Sequence, residues 1–419
     1  MIDTGDNSWV MSSSIFVYMM ALPGLGLFFA GMTKDKADLV KQMLLILIVV
    51  AVVTFSYLTF GYSLSSSPSL KGENSSPMIG SSQRFWLNNL DLDSIHQNAP
   101  NISETVYCFF QLSFASTGAV LVAGSLDGKL SFLPLLVFIF FWHICVYCPI
   151  AYWNWHPNGF LKSIGVMDFA GGNVVHVASG WTSFVAGQLL HIKRADDQSL
   201  PNYLLVISGT AMIWIGWFGF NGGSALNSGQ NAGMAVLVTQ LSASMSLLTW
   251  LICEKLWYKN CKLSGVAKGI FLGLVGITPA SGYVDCNGGI FIGILCGVFC
   301  FFVSVLKQNY NVNDKYDSLE THVAAGGFGI ILVGFFSKQS ICSSDLFLNE
   351  NNHCQDGIFY GGSGLLLGKQ IYSFVVSSVW SIFFSSVLLR IIIWIFNQPN
   401  INSEEKKICI NDFSEGHLL

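Results

Sequence analysis

Charge is scarce in this chain. Its 419 residues include 20 Lys and Arg and 24 Asp and Glu, so 11% are charged and the formal net charge is −4. A soluble domain carries about 25%. So few charges cannot cover a water-facing surface of this size, which excludes an ordinary cytosolic enzyme. No block of Lys and Arg exceeds two residues, and without a basic face a nucleic-acid partner is excluded too. There is no nucleophile–base pair and no close metal-ligand set, so neither enzyme chemistry nor a cofactor is expected. The apolar runs do not alternate and are far longer than about 10 residues, which argues against a membrane β-barrel. What the chain does have is 52% hydrophobic residues, with 33 Phe, 12 Trp and 42 Gly. That is the composition of an all-α polytopic membrane protein.

A membrane helix needs about 20 mostly apolar residues. Runs of this kind lie near 8–32, 41–64, 102–124, 130–153, 168–190, 202–220, 230–253, 264–282, 288–306, 318–337 and 365–397, which predicts eleven spans. Asp3 and Asp6 precede the first run, where a secretory signal would carry Lys or Arg, so that run reads as a span. Sorting the 20 Lys and Arg by alternate loops puts 15 on one side and 5 on the other. The positive-inside rule then sets the N-terminus outside and the C-terminus in the cytoplasm. Residues 1–397 form the membrane domain and 398–419 a polar cytoplasmic tail.

The outer loop 65–101 holds two glycosylation sequons, at Asn74 and Asn101. Cys342 and Cys354 share another outer loop and could form a disulfide. Cys145 and Cys148 sit inside an apolar run and read as small buried residues. Gly269, Gly273 and Gly276, like Gly289, Gly293 and Gly297, have the spacing of close helix packing and need no chemistry.

Ionisable groups at membrane depth are functional candidates. Here they are few: His143, His176 and His322 inside apolar runs, Asp168 at the outer start of span five, and Asp317 and Glu320 at the inner start of span ten. His176 and His322 each belong to the fifth helix of a five-helix block. Each follows an acidic residue and adjoins glycines, in Asp168-Phe-Ala-Gly-Gly-Asn-Val-Val-His176 and Asp317-Ser-Leu-Glu-Thr-His322-Val-Ala-Ala-Gly-Gly. An odd block length makes the two halves an inverted repeat, with one long helix left over. Inverted repeats bring matching residues together near the midplane, where transport sites lie. One histidine alone would read as a core residue bonded to a carbonyl, and His143 is left in that role.

At these residues the chain resembles the ammonium transporter superfamily (Amt/Mep/Rh), and its Amt branch in particular. The matching segments are Pro23-Gly-Leu-Gly-Leu-Phe-Phe-Ala-Gly31, Phe110-Gln-Leu-Ser-Phe114, Met167-Asp-Phe-Ala-Gly-Gly-Asn-Val-Val-His176, Ile215-Gly-Trp-Phe-Gly-Phe-Asn-Gly-Gly-Ser-Ala225, Gly276-Ile-Thr-Pro-Ala-Ser-Gly-Tyr283 and His322 with its glycines. The resemblance implies a plasma-membrane homotrimer with one pore per subunit. It also implies an outer ammonium site at Phe110, Trp155 and Ser224 with Asp168 nearby, a phenyl gate of Phe114 and Phe220, and paired pore histidines, His176 and His322. Methylammonium would serve as an analogue, and net transfer of charge is implied for the Amt branch. An ammonium sensor with little conduction, and an Rh-type ammonia channel, stay open as alternatives. Three departures stand out: one extra residue between Trp155 and Asp168, Glu320 where many members have a small residue, and a tail, Cys409–His417, that only loosely echoes the family's regulatory motif.

The chemistry of these side chains suits that cargo. Ammonium is a compact cation with four donors, which an aromatic cage attracts by about 2 kcal/mol or more when desolvated. A serine oxygen can accept from it. Asp168 would cap the fifth helix and also favour positive charge nearby. A bare ion in an apolar bore would cost on the order of tens of kcal/mol. Giving up a proton costs only about 1.4 kcal/mol for each pH unit below the pKa.

Overall fold

The structure is a computed structural model that describes residues 2–33, 36–67, 76–126, 129–190, 201–310, 312, 314, 317–342 and 354–397, the side chains of 36–38 excepted. Every regular element among these is helical. The main helices are α1 (Thr4–Met32), α2 (Leu39–Ser66), α3 (Glu104–Leu126), α4 (Phe132–Ser163, with a non-helical turn at 156–159), α5 (Gly172–Val177 running into Ala178–Leu189), α6 (Tyr203–Gly223), α7 (Gln230–Tyr258), α8 (Leu263–Ile277), α9 (Cys286–Asn309), α10 (Leu319–Phe336) and α11 (Gly364–Ile395). Among the described residues nine of them, all but α5 and α8, are long and apolar enough to cross a membrane. α5 starts at 172 rather than 168 because Asp168 is spent on its cap. α8 stops at Ile277 because Pro279 follows, and a proline has no N–H to continue the helical ladder.

The polarity of the bundle is that of a protein in lipid. On α11, Ile371, Val375, Val379, Phe383, Val387 and Ile391 face outward, while Gln370, Ser373, Ser377, Ser381 and Ser385 are buried. The buried face is anchored: Gln370 accepts from the Met167 N–H at 2.9 Å and donates to its carbonyl at 2.6 Å. Ser385 meets Thr182 of α5 at 2.7 Å. The two glycine stripes clasp α7, except for Gly276, which meets Cys296 of α9. A Cβ on Gly269 would lie 2.8 Å from Leu247 Cα, and one on Gly293 2.8 Å from Ser242 Cα. Bare backbone is what allows this approach.

Five turns widen to π-helical geometry: Met20–Gly24, Tyr57–Gly61, His143–Tyr147, Gly172–Val177 and Leu319–Ala324. The first holds Pro23, which has no N–H to give to a regular α-turn. The second and third pack together, and His143 wedges between them, its Nδ1 2.6 Å from Ser56 Oγ. The last two open α5 and α10 and carry His176 and His322.

The loops on the face expected to be outer are tied down. Glu104 accepts from Arg84 Nε at 3.0 Å, Arg84 Nη2 at 2.8 Å and Tyr62 Oη at 2.8 Å. Asp285 caps α9 through the Gly288 N–H at 3.0 Å and pairs with Lys338 at 3.1 Å. Cys342 and Cys354 form a disulfide. The Asn101 amide donates to Asp6 at 3.2 Å and is half-buried, so this sequon is engaged in the fold. Asn74 and the tail 398–419 lie outside the described residues.

Candidate functional site

Phe110, Phe114, Trp155, Asp168 and Ser224 line one cavity, together with Tyr107 and Tyr283. Phe110 and Phe114 stand one helical turn apart on α3, with ring centroids 4.8 Å apart and planes at 64°. Phe114 meets the Trp155 indole edge-on at 5.7 Å and 87°. The indole is held from behind: Trp155 Nε1 donates to the Asp168 carbonyl at 3.0 Å. Gly171 makes room for it. Its φ of +102° is left-handed, and a Cβ there would lie 3.0 Å from the indole.

Asp168 is buried and its carboxylate is engaged. Oδ1 accepts from the Gly171 and Gly172 N–H groups at 3.0 and 2.6 Å, and Oδ2 from Asn173 at 2.9 Å. It therefore closes the N-terminus of α5 and leaves its negative charge beside the cavity. Ser224 sits at the C-terminal end of α6 and donates its hydroxyl proton to the Phe220 carbonyl at 2.8 Å. With that proton spent, its oxygen can only accept from a guest. The cavity thus offers π faces, an acceptor and a nearby carboxylate, a set suited to a small cation with donors.

From the cavity floor a column of rings runs inward. Phe114 stacks on Phe220 at 4.1 Å and 29°. Phe220 lies 6.1 Å from the His176 ring. His176 and His322 stack at 5.6 Å with planes 8° apart. Trp217 covers the flank of His176 at 5.3 Å and 10°, fixed by its N–H bond to Thr278 Oγ1 at 2.9 Å. Neither ring nitrogen of His176 has a hydrogen-bond partner among the described residues, nor does Nδ1 of His322. At the other end His322 borders a second cavity, with Phe28, Phe271, Lys268, Asp317 and Thr321. The column therefore joins two cavities: of the eight residues the resemblance assigned, Phe110, Trp155, Asp168 and Ser224 line the first cavity and Phe114, Phe220, His176 and His322 make the column.

The two halves match in detail, with one change to the expected pairing. The counterpart of Asp168 is Asp314, eight residues before His322 as Asp168 is before His176. Asp314 accepts from the Ser318 and Leu319 N–H groups at 2.9 and 2.8 Å. Asp317, the residue matched to it in the sequence, instead pairs with Lys268 and Lys307. Burial alone would raise the Asp317 carboxyl, but the two ammonium groups outweigh it and hold it well below the usual range. Glu320 pairs with Lys307 at 2.6 Å and Lys268 at 3.5 Å. Sequence reasoning gave no role to Trp217 or Lys268. Trp217 stood inside a quoted motif. Lys268 looked like one more basic residue on the inner side.

Comparison with known proteins agrees with this architecture. The chain is 34% identical over 396 residues to Ammonium transporter 1 of Dictyostelium discoideum, covering 93% of this chain and 82% of that protein. It is 32% identical over 394 residues to the ammonium transporter of Aquifex aeolicus, covering 94% and 87%. Among solved structures it is similar to Candida albicans Mep2, with a TM-score of 0.85, 30% identity, and coverage of 94% of this chain and 86% of that one. Saccharomyces cerevisiae Mep2 gives a TM-score of 0.85 at 28% identity, covering 94% and 89%. The model of the Ammonium Transporter Family matches residues 8–415. The chain belongs to the Ammonium Transporter Family.

Proposed function

We propose that the protein carries ammonium across a membrane by stripping its proton at the outer end of a histidine-paired bore. The cation is drawn in beside the carboxylate of Asp168. It is held against the faces of Phe110 and Trp155, with the Ser224 oxygen accepting one of its N–H groups. Below lie only rings: Phe114 and Phe220 close the way to a bare ion, whose desolvation would cost far more than deprotonation. Ammonia then passes His176 and His322. The free imidazole nitrogens can accept from it or donate to it, and can carry the proton onward, so charge moves with each cycle. The family resemblance brings with it a homotrimer with one such pore per chain, in the plasma membrane.

The observation that carries this reading is the stacking of His176 on His322 at 5.6 Å between two cavities, with both ring nitrogens of His176 and Nδ1 of His322 uncommitted among the described residues. Two core histidines would each be bonded to a carbonyl, as His96 is to Ser66 at 2.6 Å. The test is current recording in proteoliposomes given ammonium or methylammonium. Inward current that follows both cations, without a potassium current, is expected. Uptake without current would point to ammonia passage alone. Neither uptake nor current would remove transport from the reading.

A further inference from the structure

Below His322 the bore ends on charge. Lys268 of α8 lines the inner cavity with Asp317, Ser318, Thr321 and His322. Its ammonium group pairs with the Asp317 carboxylate and lies 3.5 Å from Glu320 Oε1 and 5.9 Å from the centre of the Trp250 ring. Lys307 stands behind, 2.6 Å from Glu320 Oε2 and 3.4 Å from Asp314, and also pairs with Asp317. The Lys268 side chain is 24% exposed, that of Lys307 4%, so Lys268 is the cation that meets the cavity.

A lysine head is a primary alkylammonium. It has the N–H donors and compact charge of methylammonium, and it sits here on two carboxylates and an indole face. Those are the surroundings that would hold a free alkylammonium. We propose that Lys268 determines specificity at the inner mouth: its ammonium fills a cation seat made by Asp317, Glu320 and Trp250, so that cargo is neither caught on the way out nor held when it arrives from the inner side. The proposal rests on the ammonium-transport reading. With Lys268 neutral, Asp314, Asp317 and Glu320 would face Lys307 alone. That surplus of negative charge, next to His322, would retain a small cation in the exit.

Three full-length proteins test this: the parent, Lys268→Met, and Lys268→Met combined with Glu320→Gln. The first readout is the thermal unfolding midpoint in detergent with methylammonium, against equal tetraethylammonium, which is larger and has no N–H. Methylammonium is expected to raise the midpoint of Lys268→Met more than that of the parent, and the added Glu320→Gln to cancel the difference. The second is methylammonium uptake into proteoliposomes preloaded with unlabelled methylammonium. Lys268→Met should lose most of its uptake to the internal cation, while the parent and the double variant should not. Equal responses of parent and Lys268→Met in both assays would overturn the seat. If Lys268→Met does not fold, Lys268→Gln, which can still hydrogen-bond Asp317, is expected to give the same responses. A parent with no uptake at all would count against the transport reading, and the midpoint difference would still decide the seat.

Discussion

His176 and His322 each rest on the glycine that lies four residues past the other. A Cβ on Gly180 would stand 2.8 Å from His322 Cβ, and one on Gly326 3.1 Å from His176 Cβ. The π-helical turn that opens each helix packs on the regular part of the other. The spacing of the two imidazoles is thus set by backbone against side chain, from both directions.

This relationship predicts unequal effects of two matched substitutions. Gly180→Ala would also crowd the Val323 N–H, at 2.9 Å, and so must push His322 aside. Gly326→Ala meets its neighbours at 3.1 and 3.2 Å, which a few tenths of an ångström relieve. Overpacking of this kind costs about 1–3 kcal/mol. Gly180→Ala is expected to lower methylammonium uptake severalfold and the unfolding midpoint with it, while Gly326→Ala stays near the parent. Uptake rates for the two variants at matched protein levels check the order.

His176→Ala removes the ring between Phe220 and His322 and leaves a void in the bore. Either the relay is broken and uptake falls to background, or water fills the gap and potassium leaks through. Uptake assays paired with potassium currents distinguish the two. A variant that matches the parent in both would return His176 to a structural role.

Much of this arrangement could be read from the chain, for a physical reason. Long apolar runs are visible residue by residue, so the main helices fall where hydropathy places them. The weak cases are α8, cut short by Pro279, and α5, whose first residues are given over to the Asp168 cap. The spacing of His176 and His322 suggested a pair because both sit at the same place in five-helix blocks. What sequence could not supply is the company kept by charged residues. Lys268, Lys307 and Glu320 are far apart in the chain and meet only once α8, α9 and α10 pack. For the same reason Asp317 looked like the partner of Asp168, although Asp314 makes the cap and Asp317 the ion pairs.

Trp155→Leu tests the outer cage. Leucine keeps bulk but has no quadrupole to attract a cation and no N–H for the Asp168 carbonyl. Loss of one cation–π face is worth about 1–2 kcal/mol, or about a tenfold rise in the half-saturating methylammonium concentration. Maximal rate should change less. Uptake measured over a concentration series separates the two, and an unmoved half-saturation point would take Trp155 out of the site.

Arg84→Met should unsettle the loop between α2 and α3 rather than the bore. It strands the Glu104 carboxylate, which is buried at the start of α3 and held by two Arg84 nitrogens and Tyr62. Breaking a buried pair from one side costs about 3–5 kcal/mol. A lowered unfolding midpoint is expected, recovered in part by adding Glu104→Gln, which removes the stranded charge. No recovery in the double variant would mean that packing of the arginine, not charge, held the loop.

The loop between α2 and α3 should also loosen in acid, and His96 gives the direction. Its Nε2 lies 2.6 Å from the Ser66 carbonyl, which can only accept, and its Nδ1 accepts from the Asn98 N–H at 3.1 Å. The ring is therefore the neutral Nε2–H tautomer, stacked on Tyr107 at 4.2 Å. Burial pulls it down to about 3 from an ordinary 6.5, the Ser66 bond opposing only in part. The unfolded chain takes up a proton below the ordinary value and the folded chain does not. The stability this neutral histidine contributes is thus complete above pH 6.5 and falls as pH drops toward 3. By about pH 5 the loss amounts to about 2 kcal/mol. His96→Gln, whose amide can still donate to Ser66, should flatten this dependence. Unfolding midpoints of parent and variant measured across that pH range carry the comparison, and parallel curves would place the acid sensitivity on other groups.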